Sequence, residues 1–293
     1  MSGPDDDPAA DVCDAPVSID HGAHRTWLKW HRARRRAGDT AFTAERIIEG
    51  MRAGASVEVD LVIHADRGFA VLHDAEVDRA TTGVGRVGEL GAATLRTLYL
   101  RDARGEPTDS RVLVLDDLAE ILDGIDIAPK ALLQLDFKDT AADLDVAALD
   151  SFEQAVRPIA DHAILSCGDA EAVAALTARV PDIHIGYDPC HGGAIDRVVG
   201  SGDFDGFVAE AVLAAPGAEM IYLDHGLVLH AADRGHDLIG AFHDVERRVD
   251  AYTIHRADER TLPMIERLIA LRADQITTDD AEGLVAAWSA EFS

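Results

Sequence analysis

The stretch Ser56-Val57-Glu58-Val59-Asp60-Leu61-Val62-Ile63 decides the fold. Its β-branched and apolar residues read as a buried strand. Within it stand two carboxylates, Glu58 and Asp60, two positions apart. Side chains at i and i+2 of a strand share a face, so both acids point the same way. Like charges on an interior face are very costly unless a cation or protons compensate them.

Seven further short runs resemble it, at 26–32, 132–138, 162–167, 183–188, 220–225, 249–255 and 273–279. Amphipathic segments lie between them, such as 43–54, 116–125, 169–180 and 258–273. In the first, Ile47, Ile48 and Met51 fall at i, i+1 and i+4, on one helical face. Eight strands alternating with helices predict an α/β fold, a (β/α)8 TIM barrel, with a doubly wound open sheet as the competitor. The run FAVLHD at 69–74 adds a short strand that forms a hairpin with 56–63. Gly83 to Gly88 spells GxGxxG, but it does not join a strand directly to a helix, so it is no dinucleotide fingerprint.

Residues 1–20, rich in Asp, Pro and Ala, read as a flexible acidic leader, and 21–293 as a single barrel domain. The chain of 293 residues carries 27 Lys and Arg against 54 Asp and Glu, a formal charge of −27. That balance argues against nucleic acid and against anionic membrane surfaces as partners. No run of apolar residues is long enough for an integral membrane segment. The first residues lack a secretory pattern, and the three cysteines (Cys13, Cys167 and Cys190) form no zinc set, so the expected location is cytoplasmic.

Polar residues interrupt the strands at their ends. His31-Arg32 closes the first run, His73-Asp74 the hairpin strand, and Asp136 and Lys138 share a face near the end of 132–138. A lone histidine at a strand end is usually structural, and Asp136 and Lys138 taken alone read as a neutralising pair. Together, however, these ends fit one site at the C-terminal mouth of a barrel. Glu58, Asp60 and Asp136 suit a hard divalent cation. His31 and His73 suit a proton donor and a proton acceptor.

These residues resemble the glycerophosphodiester phosphodiesterase family. His31-Arg32-Ala33 resembles its opening His-Arg-Gly, Glu58-Val59-Asp60 its Glu-x-Asp strand, and His73-Asp74 through Gly83 its His-Asp and Arg-Thr-Thr-x-Gly segment. Asp136-Phe137-Lys138 is similar to its Glu-x-Lys, Leu165-Ser166 to its Ser-Phe strand end, Tyr252 to His255 to its Trp-Thr-Val-Asn, and Ile276 to Asp279 to its Ile-Thr-Asp. The ordered set runs from about residue 26 to 288. The departures are Ala33 for glycine, Ala41-Phe42-Thr43 for Glu-Asn-Thr, and Asp136 for glutamate. The last two are similar to the related sphingomyelinase D and phospholipase D-type barrels.

The resemblance implies metal-dependent hydrolysis of a small phosphodiester, a glycerophosphodiester or lysophospholipid, to an alcohol and glycerol phosphate. Glu58, Asp60 and Asp136 would hold Mg²⁺ or Ca²⁺, and Arg32 and Lys138 would grip the phosphate oxygens. His31 and His73 would share the proton work, with the roles of acid and base open and with water or an adjacent hydroxyl as nucleophile. Two other readings stand beside it: a phospholipase D-like or lysophospholipase D-like enzyme on a lipid diester, and a barrel that binds a phosphorylated ligand without turnover. The polar insert at 102–112 weighs against acyl chains.

Overall fold

A computed structural model describes residues 15–292. In the first half of the chain the strands are β1 (Ser18–His21), β2 (His24–Trp30), β3 (Ser56–Ile63), β4 (Phe69–Val71), β5 (Tyr99–Arg101) and β6 (Pro107–Arg111). The second half contributes β7 (Leu132–Phe137), β8 (Ala163–Ser166), β9 (His184–Tyr187), β10 (Met220–Asp224), β11 (Arg248–Ile254) and β12 (Gln275–Thr278). Parallel pairing runs β2-β3-β7-β8-β9-β10-β11-β12 and returns to β2, so eight strands close a (β/α)8 TIM barrel. Each expected run supplies one of them, and the open-sheet alternative is excluded by the β12–β2 pairing.

The helix α1 (Ala44–Ala53) shows how the outer layer is built. Thr43 accepts a hydrogen bond from the Arg46 backbone N–H, and Gly54, at φ 83°, ends the helix in the left-handed region. Ile47 and Met51 are buried while Ile48 is half-buried. Gly50 lets the helix approach β3, since a Cβ there would lie 2.5 Å from the Val57 side chain. Val57, Val59 and Leu61 of β3 are completely buried on the side away from Glu58 and Asp60, so this strand anchors the core and presents acids inward.

The stretch expected as a leader, 1–20, runs into an ordered strand at its end. Residues 1–14 lie outside the described residues, but Ser18–His21 pairs antiparallel with the start of β2, from Ser18 opposite Trp27 to His21 opposite His24. Ile19 is buried and the Trp30 indole N–H donates to the Pro16 carbonyl at 3.2 Å, which explains why the tail of an acidic segment is held. The expected hairpin is present, with β4 antiparallel to β3. The polar insert supplies β6, which pairs with the preceding β5 as a separate two-stranded sheet. The GxGxxG letters fall in the long connection after β4, which holds a 3₁₀ turn at Val87–Glu89 and a one-turn helix at Ala92–Leu95. Cys167 and Cys190 are buried free thiols.

Candidate functional site

The polar strand ends converge at the C-terminal mouth. Arg32 and Ala33 adopt positive φ values of 54° and 57°, which turns the chain sharply after β2. The turn points the Arg32 backbone N–H at Glu58 Oε2, 2.6 Å away. The β3–β7 register sets Asp60 opposite Asp136, so the i, i+2 spacing on β3 becomes a three-carboxylate cluster across two strands. Oxygens of Glu58, Asp60 and Asp136 all lie within 4.8 Å of one another.

Two cations lean on this cluster. Lys138 Nζ is 2.7 Å from Asp60 Oδ1 and also contacts Asp136, and Arg32 Nε is 3.2 Å from Asp60 Oδ2. Burial, reinforced by the Glu58 charge, pushes the Asp60 carboxyl up to about 7. Burial also acts to raise Asp136, but the adjacent Lys138 charge and the hydrogen bonds from Lys138 and Ser166 outweigh it and hold it below the usual carboxylate range. The same acids hold the Lys138 ammonium above its ordinary value against burial.

Both Asp60 oxygens are fully buried and lack an aligned hydrogen-bond partner, despite the ion-pair contacts. With all three carboxyls ionised, as cation binding requires, they exceed the two cations by one negative charge, and all the donors are hard oxygens. A divalent cation of the Mg²⁺ or Ca²⁺ type therefore fits the residues present.

The two histidines flank the cluster in a cavity of about 250 Å³ lined also by Arg32, Glu58, Asp136 and Lys138. His31 Nδ1 bonds Asp279 Oδ1 at 2.7 Å, and His73 Nδ1 bonds Asp74 Oδ1 at 2.8 Å. Each pair leaves the opposite ring nitrogen, Nε2, for other work. Burial lowers the His31 pKa below the ordinary imidazole value, with Asp279 opposing. Burial acts to raise Asp279, yet His31, His255 and Arg34 hold it well below the usual range. All seven residues expected from the sequence are thus brought together.

Sequence reasoning gave Asp279 no role, although it bonds both His31 and His255, the latter at 2.7 Å. It also passed over Lys29 and Gln134, which lie two residues before His31 and Asp136 and so share their inward faces. Polar letters at alternate strand positions were the available signal. His191 is at the cavity, 2.9 Å from Asp188, whose hydrogen bond raises its pKa despite burial. His64, in the turn after β3, is buried, because Gly68 leaves room for its ring. Asp224 caps the helix that follows it, and His225 donates to the Tyr252 carbonyl, so this pair is structural.

The comparisons agree with this fold. A solved glycerophosphoryl diester phosphodiesterase from Parabacteroides distasonis is similar in fold, with TM-score 0.65 and 17% identity, over 95% of this chain and 92% of that one. A glycerophosphodiester phosphodiesterase from Agrobacterium tumefaciens gives TM-score 0.62 at 19% identity, over 89% and 99% of the two chains. An Oleispira antarctica phosphodiesterase in complex with the product sn-glycerol-3-phosphate gives 0.61 at 16%, over 89% and 96%. No curated protein matches the chain in sequence. The sequence pattern of the Glycerophosphoryl diester phosphodiesterase family matches residues 40–282. The chain belongs to this family, whose members are phosphodiesterases that hydrolyse glycerophosphodiesters.

Proposed function

We propose that the protein is a metal-dependent glycerophosphodiester phosphodiesterase in which His31 is the general base and His73 the general acid. The observation that carries the reading is the placement of two carboxylate-anchored imidazoles and one three-carboxylate cluster in the same cavity. A barrel that only binds a phosphorylated ligand has no need of both proton carriers. Glu58, Asp60 and Asp136 would hold Mg²⁺ or Ca²⁺, which supplies Lewis-acid stabilisation of charge at phosphorus.

Arg32 and Lys138 answer the remaining electrostatic problem, which is to bind an anion on a protein with a charge of −27. Arg32 presents a planar fork to two non-bridging oxygens, and Lys138 a mobile point charge. His31 is the base because burial favours its neutral form at neutral pH. Its Nε2 takes the proton of the nucleophile, either water or the hydroxyl adjacent to the phosphate. His73 Nε2 delivers a proton to the departing alkoxide. With water, the sum is diester plus water to alcohol plus glycerol phosphate.

The insert sheet favours a small diester over a lipid, because Pro107, Asp109 and Arg111 of β6 are exposed and polar or non-greasy in character. The test is release of alcohol and glycerol phosphate from glycerophosphocholine, glycerophosphoethanolamine and a lysophospholipid, with Mg²⁺, Ca²⁺ or EDTA. The expected result is turnover of the small diesters that EDTA abolishes and a divalent cation restores. Turnover indifferent to chelator would overturn the metal assignment, and preference for the lysophospholipid would overturn the substrate class.

A further inference from the structure

Beneath the acid cluster a run of buried polar side chains crosses the barrel interior, where apolar side chains usually fill the layers. Lys29 is 1% exposed, Gln134 4% and Ser166 0%. Lys29 Nζ lies 3.1 Å from Asp250 Oδ2 and 4.1 Å above the Tyr222 ring, and it donates to Gln134 Oε1. Asp250 is steadied in turn by the Thr277 hydroxyl at 2.6 Å. Gln134 Nε2 donates to Ser166 Oγ at 2.7 Å, and Ser166 Oγ donates to Asp136 Oδ1 at 2.6 Å.

The direction of this chain is fixed at one end. An ammonium has only donors, so Gln134 must turn its carbonyl to Lys29 and its NH₂ to Ser166. The Ser166 oxygen then accepts from Gln134, and its single proton goes to Asp136. We propose that Lys29, Gln134 and Ser166 are positioning residues that lock the Asp136 carboxylate and thereby set the divalent-cation affinity of the site. The proposal rests on the metal reading above.

The chain also explains how an aspartate serves where the resemblance leads one to expect glutamate. The shorter side chain has less reach, and its orientation is held from below by the hydroxyl on β8, the neighbouring strand, in register with it. Asp136 Oδ2 is left to Lys138 on the cavity side. Burying an ammonium–carboxylate pair carries a desolvation cost that well-packed apolar residues would avoid. Ligand-orienting partners of this kind typically control metal affinity by about 10–100-fold.

The experiment is calorimetric titration of Mg²⁺ and of Ca²⁺ into the metal-free full chain, without substrate. The variants are Ser166→Ala, Ser166→Thr, Gln134→Glu and the double variant Ser166→Ala/Gln134→Glu. Gln134→Glu keeps the shape but removes the NH₂ donor, so the Ser166 proton is drawn away from Asp136. Ser166→Ala and Gln134→Glu should each weaken binding by about 10–100-fold. The double variant should be no weaker than the weaker single, because the residues act in series, and Ser166→Thr should return to within a few-fold of the parent. Affinities within twofold of the parent in both folded single variants would overturn the proposal, as would losses that multiply in the double variant. If the parent chain itself binds neither ion, the metal reading fails, and the relay with it. If Ser166→Ala does not fold, Gln134→Glu decides alone on the same threshold.

Discussion

The two imidazole–carboxylate pairs of the cavity look alike but are built from different parts of the chain. His31 is held by Asp279, 248 residues away, and both side chains are 14% exposed. His73 is held by its own neighbour Asp74, with the imidazole 38% exposed. Asp279 also receives Arg34 at 2.8 Å and His255, whereas the other partner of Asp74 is Arg79, a side chain 75% exposed. The first pair forms only when β12 closes on β2, so it is tied to completion of the barrel. The second is a local feature of the connection after β4. On the proposed division of roles, the proton acceptor would sit in the pair closed by the barrel and the proton donor in the more exposed one.

The comparison breaks most completely at the imidazoles themselves. His31→Ala and His73→Ala should each lower kcat by about 10²–10⁴-fold, the scale of general acid–base catalysis. Steady-state kinetics on a small diester measures it, and near-parent activity in either folded variant would remove that histidine from the mechanism. Asp279→Asn should cost roughly 10²-fold in kcat by freeing the His31 tautomer and orientation. Asp74→Asn should cost roughly tenfold, since a solvated ring can find other partners. Equal losses would mean that the two pairs are equivalent.

Between the pairs lies Asp60, and its prediction concerns stability. Its folded pKa of about 7 stands above the ordinary 3.8, so its ionised form opposes folding at pH 8, and the penalty fades as pH falls through 7. In EDTA, Asp60→Asn should therefore raise Tm over the parent by several degrees at pH 8 and by much less at pH 5. An advantage independent of pH would contradict the buried charge. The smallest effects are at the outer guanidiniums. Arg34→Ala should lower kcat a few-fold by loosening Asp279, whereas Arg79→Ala should stay within about twofold, as exposed ion pairs contribute little.

The same contrast governs what the sequence disclosed. Glu58 and Asp60, Asp136 and Lys138, and His73 and Asp74 are one or two residues apart, so alternation along a strand places them without knowledge of the tertiary structure. The eight strands were legible for a related reason, since buried parallel strands read as short apolar runs between amphipathic segments. Asp279 was not legible as a partner of His31, because nothing local links residues so far apart. Lys29 looked like one cation in a strand that structure places inside the barrel, and its pairing with Asp250 depends on strand order. The held end of that acidic stretch, at Ser18–His21, depends on Ile19 and Val17, whose packing partners lie elsewhere in the chain.

The division of proton work between His31 and His73 is the central proposal. The measurement is kcat for the parent, His31→Ala and His73→Ala, with divalent cation, on a glycerophosphodiester of an ordinary alcohol and on one with a nitrophenolate leaving group. A leaving group that departs without a proton removes the need for an acid but not for a base. The predicted result is that the His73→Ala deficit shrinks by at least about tenfold on the activated diester while the His31→Ala deficit stays. Rescue of His31→Ala instead, or deficits unchanged in both, would contradict the assignment.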